Sequence, residues 1–384
     1  KMDEYGHPDD AVTTVAPWPQ QTTVGPFKVG FLPMSHSIPE SSSLVIDVAG
    51  DRLIHSGDFK IDMTPGVGEP YDPELWADVS KDGVKALICD STNVFSQHAG
   101  RSEATVGPEI EKLLGTAQGM VVATTFASNV ARVKTLADAG ERAGRSVVLL
   151  GRAMKRMVEA SLETGVMKDF PPVVSPEEAR GIPRENLMLL VTGSQGERRA
   201  ASAQLARGKY MGLEMKEGDM FLFSSKTIPG NERGVIKVIN AFSEMGVDIV
   251  DDSSGLYHVS GHANRPDLET LHDVVKPQIL MHGEHRHLRE HTKIANAKGM
   301  KGVLAVNGMM IDLSGNEPKV VEYVDSGRTY LDGSTQIGAM DGVVRDRIRM
   351  ALNGHVTVTV ILDENDEALG DPWVDAMGLP EQGR

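Results

Sequence analysis

Three polar side chains, His36, Asp58 and His282, each follow a short apolar run: VGFLPM, LIHSG and PQILM. Such runs read as strands, and strand tips in layered α/β proteins converge on one crevice where residues distant in sequence meet. Two imidazoles and a carboxylate gathered there suit zinc or a similar borderline metal. Singly, each is equally an ordinary turn or cap residue, so only the set points to a metal.

The stretch QILMHGEHRHLREH, residues 278 to 291, holds four of the twelve histidines. His282 ends a strand, whereas His285, His287 and His291 fall on the helix predicted to follow. Helical positions two apart point about 200° from each other, so His285 and His287 do not share an ion. His287 and His291, at i and i+4, share a face and could share an ion, with helix surface or packing as the plainer reading.

The elements that position these groups follow from periodicity. From Phe27 to Asp62, short apolar strands alternate with tight turns, and SLVIDVA and DRLIHSG are joined hairpin-fashion at Gly50-Asp51. From Ser102 to Val250, helix-like stretches such as NVARVKTLADAGERAG alternate with apolar runs such as GMVVATTFAS and NLMLLVTGS, which predicts a mostly parallel α/β sheet. Asn129 stands as an N-cap, and Gly144 and Gly165 as helix stops. The α/β rhythm persists to Gly302; VLAVNGMMIDLSG and KVVEYVDSG then read as hairpins closing a sheet. A helix VRDRIRMALN and a strand HVTVTVILDE begin a last unit. There is no internal repeat.

A chain of 384 residues, 40% hydrophobic and 24% charged, has material for two or three domains. A net charge of −15 excludes a general polyanion sponge, so any nucleic-acid site is local. No apolar run reaches membrane-spanning length, no leader pattern opens the chain, and one cysteine makes no internal disulfide; a cytoplasmic location is expected. Cys89, in KALICDST, reads as core packing. There is no G-x-x-x-x-G-K-S/T loop, G-x-S-x-G elbow or paired-cysteine zinc pattern. GSQGE (193 to 197) could present backbone N–H groups to a phosphate, or be simply a turn. In TFASN, Ser128 and Asn129 most simply cap a helix.

The blocks MSHSIPESSSLVIDVAGDRLIHSGDFKID, LICDSTN, TTFASN, VTGSQGE, FSSKTIPGNE, HVSGHA and HGEHRHL, collinear from Phe27 to Gly302, resemble ribonuclease J. That family belongs to the β-CASP branch of the metallo-β-lactamase superfamily. The resemblance implies an α/β fold: a metallo-β-lactamase αββα sandwich with its N-terminal part missing, an inserted β-CASP α/β domain and a partial C-terminal domain. The corresponding segments are 1–103, 104–251, 252–331 and 332–384. It implies that His36 ligates a first metal, Asp58 bridges two metals, and His282 completes the second; two zinc ions are expected, with manganese or magnesium as substitutes. Asp90, in CDSTN, would orient a ligand or relay a proton. His258, Ser260 and His262 would contact the substrate phosphate, with His262 protonating the leaving group, and Ser224 and Ser225 would line the same pocket.

The family's HxHxDH signature, which supplies three or four ligands, is absent before His36; His7 in GHPDD does not fit it. The chain is therefore expected to enter the metallo-β-lactamase domain partway and to stop inside the C-terminal domain. His36, Asp58 and His282 alone supply three donors where a dinuclear centre takes about seven, so metal affinity should fall. Exposed apolar sheet surface is expected, covered by formation of a homodimer or homotetramer. The implied activity is metal-dependent cleavage of single-stranded RNA, from the 5′ end and also internally, with Arg132, Arg152 and Arg156 supplying local positive charge. The alternatives are a promiscuous hydrolase of esters or lactams on the same scaffold, and a non-catalytic RNA-binding fragment.

Overall fold

The structure, a computed structural model, describes residues 6, 8, 11–282, 285–339 and 341–379, without the side chains of His282 and His285. It divides into two compact units, Lys1–Val306 with Ile311–Lys319, and Asn307–Met310 with Val320–Arg384.

The first unit opens with an antiparallel meander of β1 (Gln21–Val24), β2 (Phe27–Pro33), β3 (Ser42–Val48) and β4 (Asp51–His55). The β3–β4 turn sits one residue earlier than expected. Val48 pairs with Asp51, leaving Ala49 and Gly50 as the two turn residues, with φ of 52° and 90°. Positive φ at both positions is the mirror-image turn whose twist matches the flanking strands, and the glycine accepts it without strain. Helix α1 (Pro73–Ser80) follows, started by Asp72, whose carboxylate accepts from the Glu74 and Leu75 N–H groups. Then comes β5 (Ala86–Ile88), parallel to β4.

An inserted α/β layer comes next: α2 (Val106–Thr116), β6 (Val121–Thr124), α3 (Val130–Arg142), β7 (Ser146–Leu150), α4 (Arg152–Glu163), β8 (Leu187–Val191), β9 (Met220–Phe223), α5 (Glu232–Glu244) and β10 (Asp248–Val250). Its strands pair in the order β10-β9-β6-β8-β7, all parallel. Strands in such a sheet are covered on both faces, which is why VVAT, LMLLV and MFLF are buried at every position. Val121, Ala123 and Leu190 pack with α2 and α3 on one side; Val122, Leu189 and Phe221 pack with Val235, Val238 and Phe242 of α5 on the other. Asn129 caps α3 by accepting from Arg132 N–H at 3.0 Å.

The chain then rejoins the first sheet through α6 (Arg265–Val275), β11 (Ile279–His282), α7 (His285–Ala297) and β12 (Lys301–Leu304), giving the order β1-β2-β3-β4-β5-β11-β12. β12 is a parallel edge strand beside β11, not a hairpin arm as the sequence suggested. Leu32, Val45, Ile54, Leu87 and Leu280 form the helix-covered face, with Trp76 and Val79 of α1, Leu268 and Leu271 of α6 and Ile294 of α7. The opposite face carries Val29, Phe31, Leu44, Ile46, Leu53 and Met281, all only partly buried. The second unit holds the hairpin Thr329–Asp332 with Thr335–Gly338, the helix Gly342–Asn353, and the pair His355–Thr359 with Trp373–Met377. No helix among the described residues is long and apolar enough to cross a membrane.

Candidate metal centre and groove

Loops leaving β2, β4 and β5 converge with the segment that precedes α6. Asp58, Asp90 and His262 bring one ligand atom each to within 4.8 Å of one another. Asp90 follows β5 directly, and its backbone N–H donates to the Ser56 hydroxyl, 2.9 Å away at the end of β4. The His262 Nδ1–H donates to the Asp90 carboxylate at 2.7 Å. Burial alone would lower the pKa of His262, but the hydrogen bond and charge of Asp90, with Asp58 adding, raise it above the ordinary histidine value. Burial conversely works to raise Asp90, and the His262 contact with the Thr92 hydrogen bonds holds it low.

His36 stands beside this group, its ring 5.4 Å from that of His262 and nearly edge-on. Its Nδ1 lies 2.6 Å from the Gly261 carbonyl oxygen. A carbonyl only accepts, so Nδ1 carries the proton and Nε2 the lone pair, as in a histidine prepared for a metal. Burial lowers the pKa of His36, keeping it neutral. A Cβ on Gly261 would lie 2.6 Å from Ser37 Oγ and 2.8 Å from His36 Cε1, so only glycine permits this approach. His282 is a residue of β11, paired with Leu304; its side chain lies outside the described residues, as does that of His285.

A groove of about 590 Å³ runs past the cluster, lined from one layer by His36, Asn93 and Gly261 and from the inserted layer by Phe126, Asn129 and Lys226. His258, Ser260 and His262 also line it. The Asn93 side-chain amide donates to the Ser260 hydroxyl at 2.9 Å and to the His262 carbonyl at 3.1 Å, tying this loop to the β5 tip. His258 Nδ1 accepts from the Arg132 guanidinium at 3.2 Å. Arginine only donates, so His258 carries its proton on Nε2. Burial, then the charges of Arg132, Lys226 and Lys60, push its pKa down to about 3, leaving a neutral donor in the groove wall.

Several expectations need correction. Arg132 is fully buried rather than a surface cation: it bonds Glu103 at 2.5 and 2.8 Å, the Ser224 carbonyl and hydroxyl, and the Tyr257 carbonyl. Arg152 and Arg156 are exposed on α4. Ser224 lies beneath the groove wall, its hydroxyl donating to the Tyr257 carbonyl at 2.6 Å, and Ser225 is also buried. Neither serine offers a surface to substrate. The GSQGE turn is not an open phosphate cradle: Gln195 N–H donates to Glu197, and its side chain bonds Lys226 and Ile228 of the neighbouring loop. His287 and His291 diverge. His287 packs its ring 5.1 Å from Phe95 and lines the groove, whereas His291 is wholly buried against His272. Cys89, by contrast, is buried in the core as expected, where burial pushes its thiol pKa well above the ordinary range and makes it a poor nucleophile.

Three residues escaped sequence reading: Glu103, Asn93 and Lys226. Lys226 sits in the FSSKTIPGNE block that leaves β9, and Asn93 sits in the same CDSTN block as Asp90, so motif membership was a signal for both. Glu103 had none, because its meaning depends on the Arg132 it neutralises 29 positions later.

Comparison with known proteins resolves the relationship. Residues 118–242 match the family described as "Ribonuclease J, beta-CASP domain", and residues 342–384 match "Ribonuclease J C-terminal domain". The chain is 31% identical over 377 residues to "Ribonuclease J 1" of Streptococcus pyogenes, covering 96% of this chain and 67% of that one. It belongs to the ribonuclease J family. It is also 41% identical over 362 residues to "Ribonuclease J" of Sinorhizobium meliloti, covering 93% of this chain and 64% of that one, and 34% identical to "Ribonuclease J" of Corynebacterium glutamicum, covering 94% and 51%. The chain thus spans roughly half to two thirds of the length of these ribonuclease J relatives. A solved structure, "Crystal Structure of a Protein of Unknown Function from Enterococcus faecalis V583", superposes with a TM-score of 0.50 at 15% identity over 70% of this chain and 61% of that one, a likeness of fold alone.

Proposed function

We propose that this ribonuclease J family chain hydrolyses RNA phosphodiester bonds with the help of divalent metal, removing nucleotides from the 5′ end of single-stranded RNA and also cutting internally. The observation that carries this reading is the convergence of Asp58, Asp90 and His262 at a groove walled by both layers.

In this reading His36, Asp58 and His282 hold the metal. The fit is supported by the neutral, Nδ1-protonated His36 and by the exposed Asp58 carboxylate beside it. Imidazole and carboxylate donors suit zinc, with manganese or magnesium as substitutes. Bound cations of this kind supply a nucleophilic hydroxide and neutralise charge developing on the phosphate. The chain's own groups do the rest. Neutral His258 and Ser260 contact the phosphate through Nε2–H and hydroxyl. His262, whose hold on a proton Asp90 strengthens, delivers its proton to the leaving 3′ oxygen. Lys226 and Arg101 place positive charge along the groove and an adjoining cavity, offsetting the chain's acidic balance locally.

We further infer a cytoplasmic protein, supported by the single cysteine, and a homodimer or homotetramer, supported by the partly buried apolar sheet face. The test uses 5′-monophosphorylated, 3′-labelled single-stranded RNA with Mn²⁺ or Zn²⁺. Shortening from the 5′ end that a chelator abolishes is expected. Intact RNA at stoichiometric protein and saturating metal would overturn the reading.

A further inference from the structure

Behind the groove, three side chains with metal-binding chemistry meet in the apolar core. Cys89 leaves the end of β5, His272 comes from α6 and His291 from α7; they are 5%, 1% and 0% exposed. The two imidazoles stack with centroids 4.8 Å apart and planes 21° apart, and their Nε2 atoms approach to 2.9 Å. Cys89 Sγ and these nitrogens all lie within 4.8 Å of one another. Around them are Leu268, Leu271, Leu280 and Ile294.

We propose that Cys89, His272 and His291 form a mononuclear zinc site distinct from the groove centre. Three side chains of metal-binding type converge here within ligand distance of one another. One cation accepts all three lone pairs. Zinc bonds of about 2.3 Å to sulfur and about 2.0 Å to nitrogen place ligand atoms roughly 3 to 4 Å apart, a spacing compatible with the 2.9 Å between the two nitrogens and the 4.8 Å bound on the set. The donor set of one thiolate and two imidazoles is soft enough to favour zinc over magnesium or calcium. Binding displaces the thiol proton, and both imidazoles present Nε2 while carrying their protons on Nδ1. The competing arrangement is a metal-free N–H···N hydrogen bond between the two rings.

The consequence is mechanical. A cation here pins α6 and α7 to the tip of β5, directly behind Asp90, and adds its binding free energy to the stability of the layer that carries the groove.

Cys89 is the only cysteine in the chain, which makes the test specific. The full chain is produced in cobalt-supplemented minimal medium, Co²⁺ standing in for zinc. We expect a thiolate-to-cobalt charge-transfer band in the near ultraviolet, which no oxygen or nitrogen donor of the groove can give. Cys89→Ser should remove the band and one metal equivalent per chain, and His272→Gln should remove or shift it with the cysteine still present. A folded wild-type protein that carries cobalt without this band overturns the proposal, as does a band unchanged in both His272→Gln and His291→Gln. If the histidine variants do not fold, X-ray absorption on the wild-type cobalt protein decides: one sulfur and two imidazole scatterers at a single site are expected, and a sulfur-free ligand shell refutes it. Because the signal comes from sulfur, it stands or falls independently of RNA cleavage.

Discussion

Asp90 and His262, 172 positions apart, are joined by a 2.7 Å hydrogen bond from an imidazole N–H to a carboxylate. The contact joins the tip of β5 to the segment before α6 and raises the pKa of His262 against the pull of burial. Asp90→Asn keeps the shape but removes the charge. In chelator-sensitive RNA cleavage it should lower kcat by on the order of 10- to 100-fold with little change in KM, the scale of losing a group that orients a functional histidine. A rise in KM with kcat unchanged would mean that Asp90 binds substrate instead.

Gly261 admits His36 only because it lacks a Cβ. Gly261→Ala should force His36 from its place, weakening metal affinity by on the order of 10- to 100-fold while the melting temperature in chelator moves little. Calorimetric titration of Mn²⁺ into the metal-free protein checks this.

The Arg132–Glu103 pair is buried on both sides, at 0% and 5% side-chain exposure. Breaking one partner leaves an uncompensated charge. Arg132→Met should destabilise the protein by about 3 to 5 kcal/mol in urea unfolding, and adding Glu103→Gln should recover much of that loss.

His258 titrates at about 3 in the folded protein, against about 6.5 unfolded. The unfolded chain takes up the proton first, so the stability tied to neutral His258 is complete above about pH 6.5 and lost as pH falls toward 3. Between pH 7 and 4.5 the loss attributable to this group is about 2.5 kcal/mol. The His258→Gln variant should therefore lose about that much less stability than wild type over the same interval; equal losses would show that His258 is solvated.

Much of this architecture was written in local pattern. SLVIDVA, read as a strand joined hairpin-fashion to DRLIHSG, and NLMLLVTGS, read as a strand of a mostly parallel α/β sheet, both appear in those roles. Turn placement was less legible, because Ala49 at positive φ is set by the β3–β4 register rather than by its own preference. In the site, strand-end position marked His36 and Asp58, and the resemblance of CDSTN marked Asp90, whereas the fates of Arg132 and His291 depended on partners that no local window contains. An arginine opening a helix reads as a surface cation until Glu103 is found beside it. A histidine four residues after another reads as its partner until His272 proves the nearer one.

The central claim is that His36, Asp58 and His282 hold a cation at the groove, beside the Asp90–His262 pair. Anomalous diffraction from crystals grown with Mn²⁺ or Zn²⁺ addresses it most directly. The account predicts a peak within about 2.3 Å of an Asp58 carboxylate oxygen and within bonding reach of His36 Nε2. Full metal occupancy elsewhere, with no density beside Asp58, would contradict it.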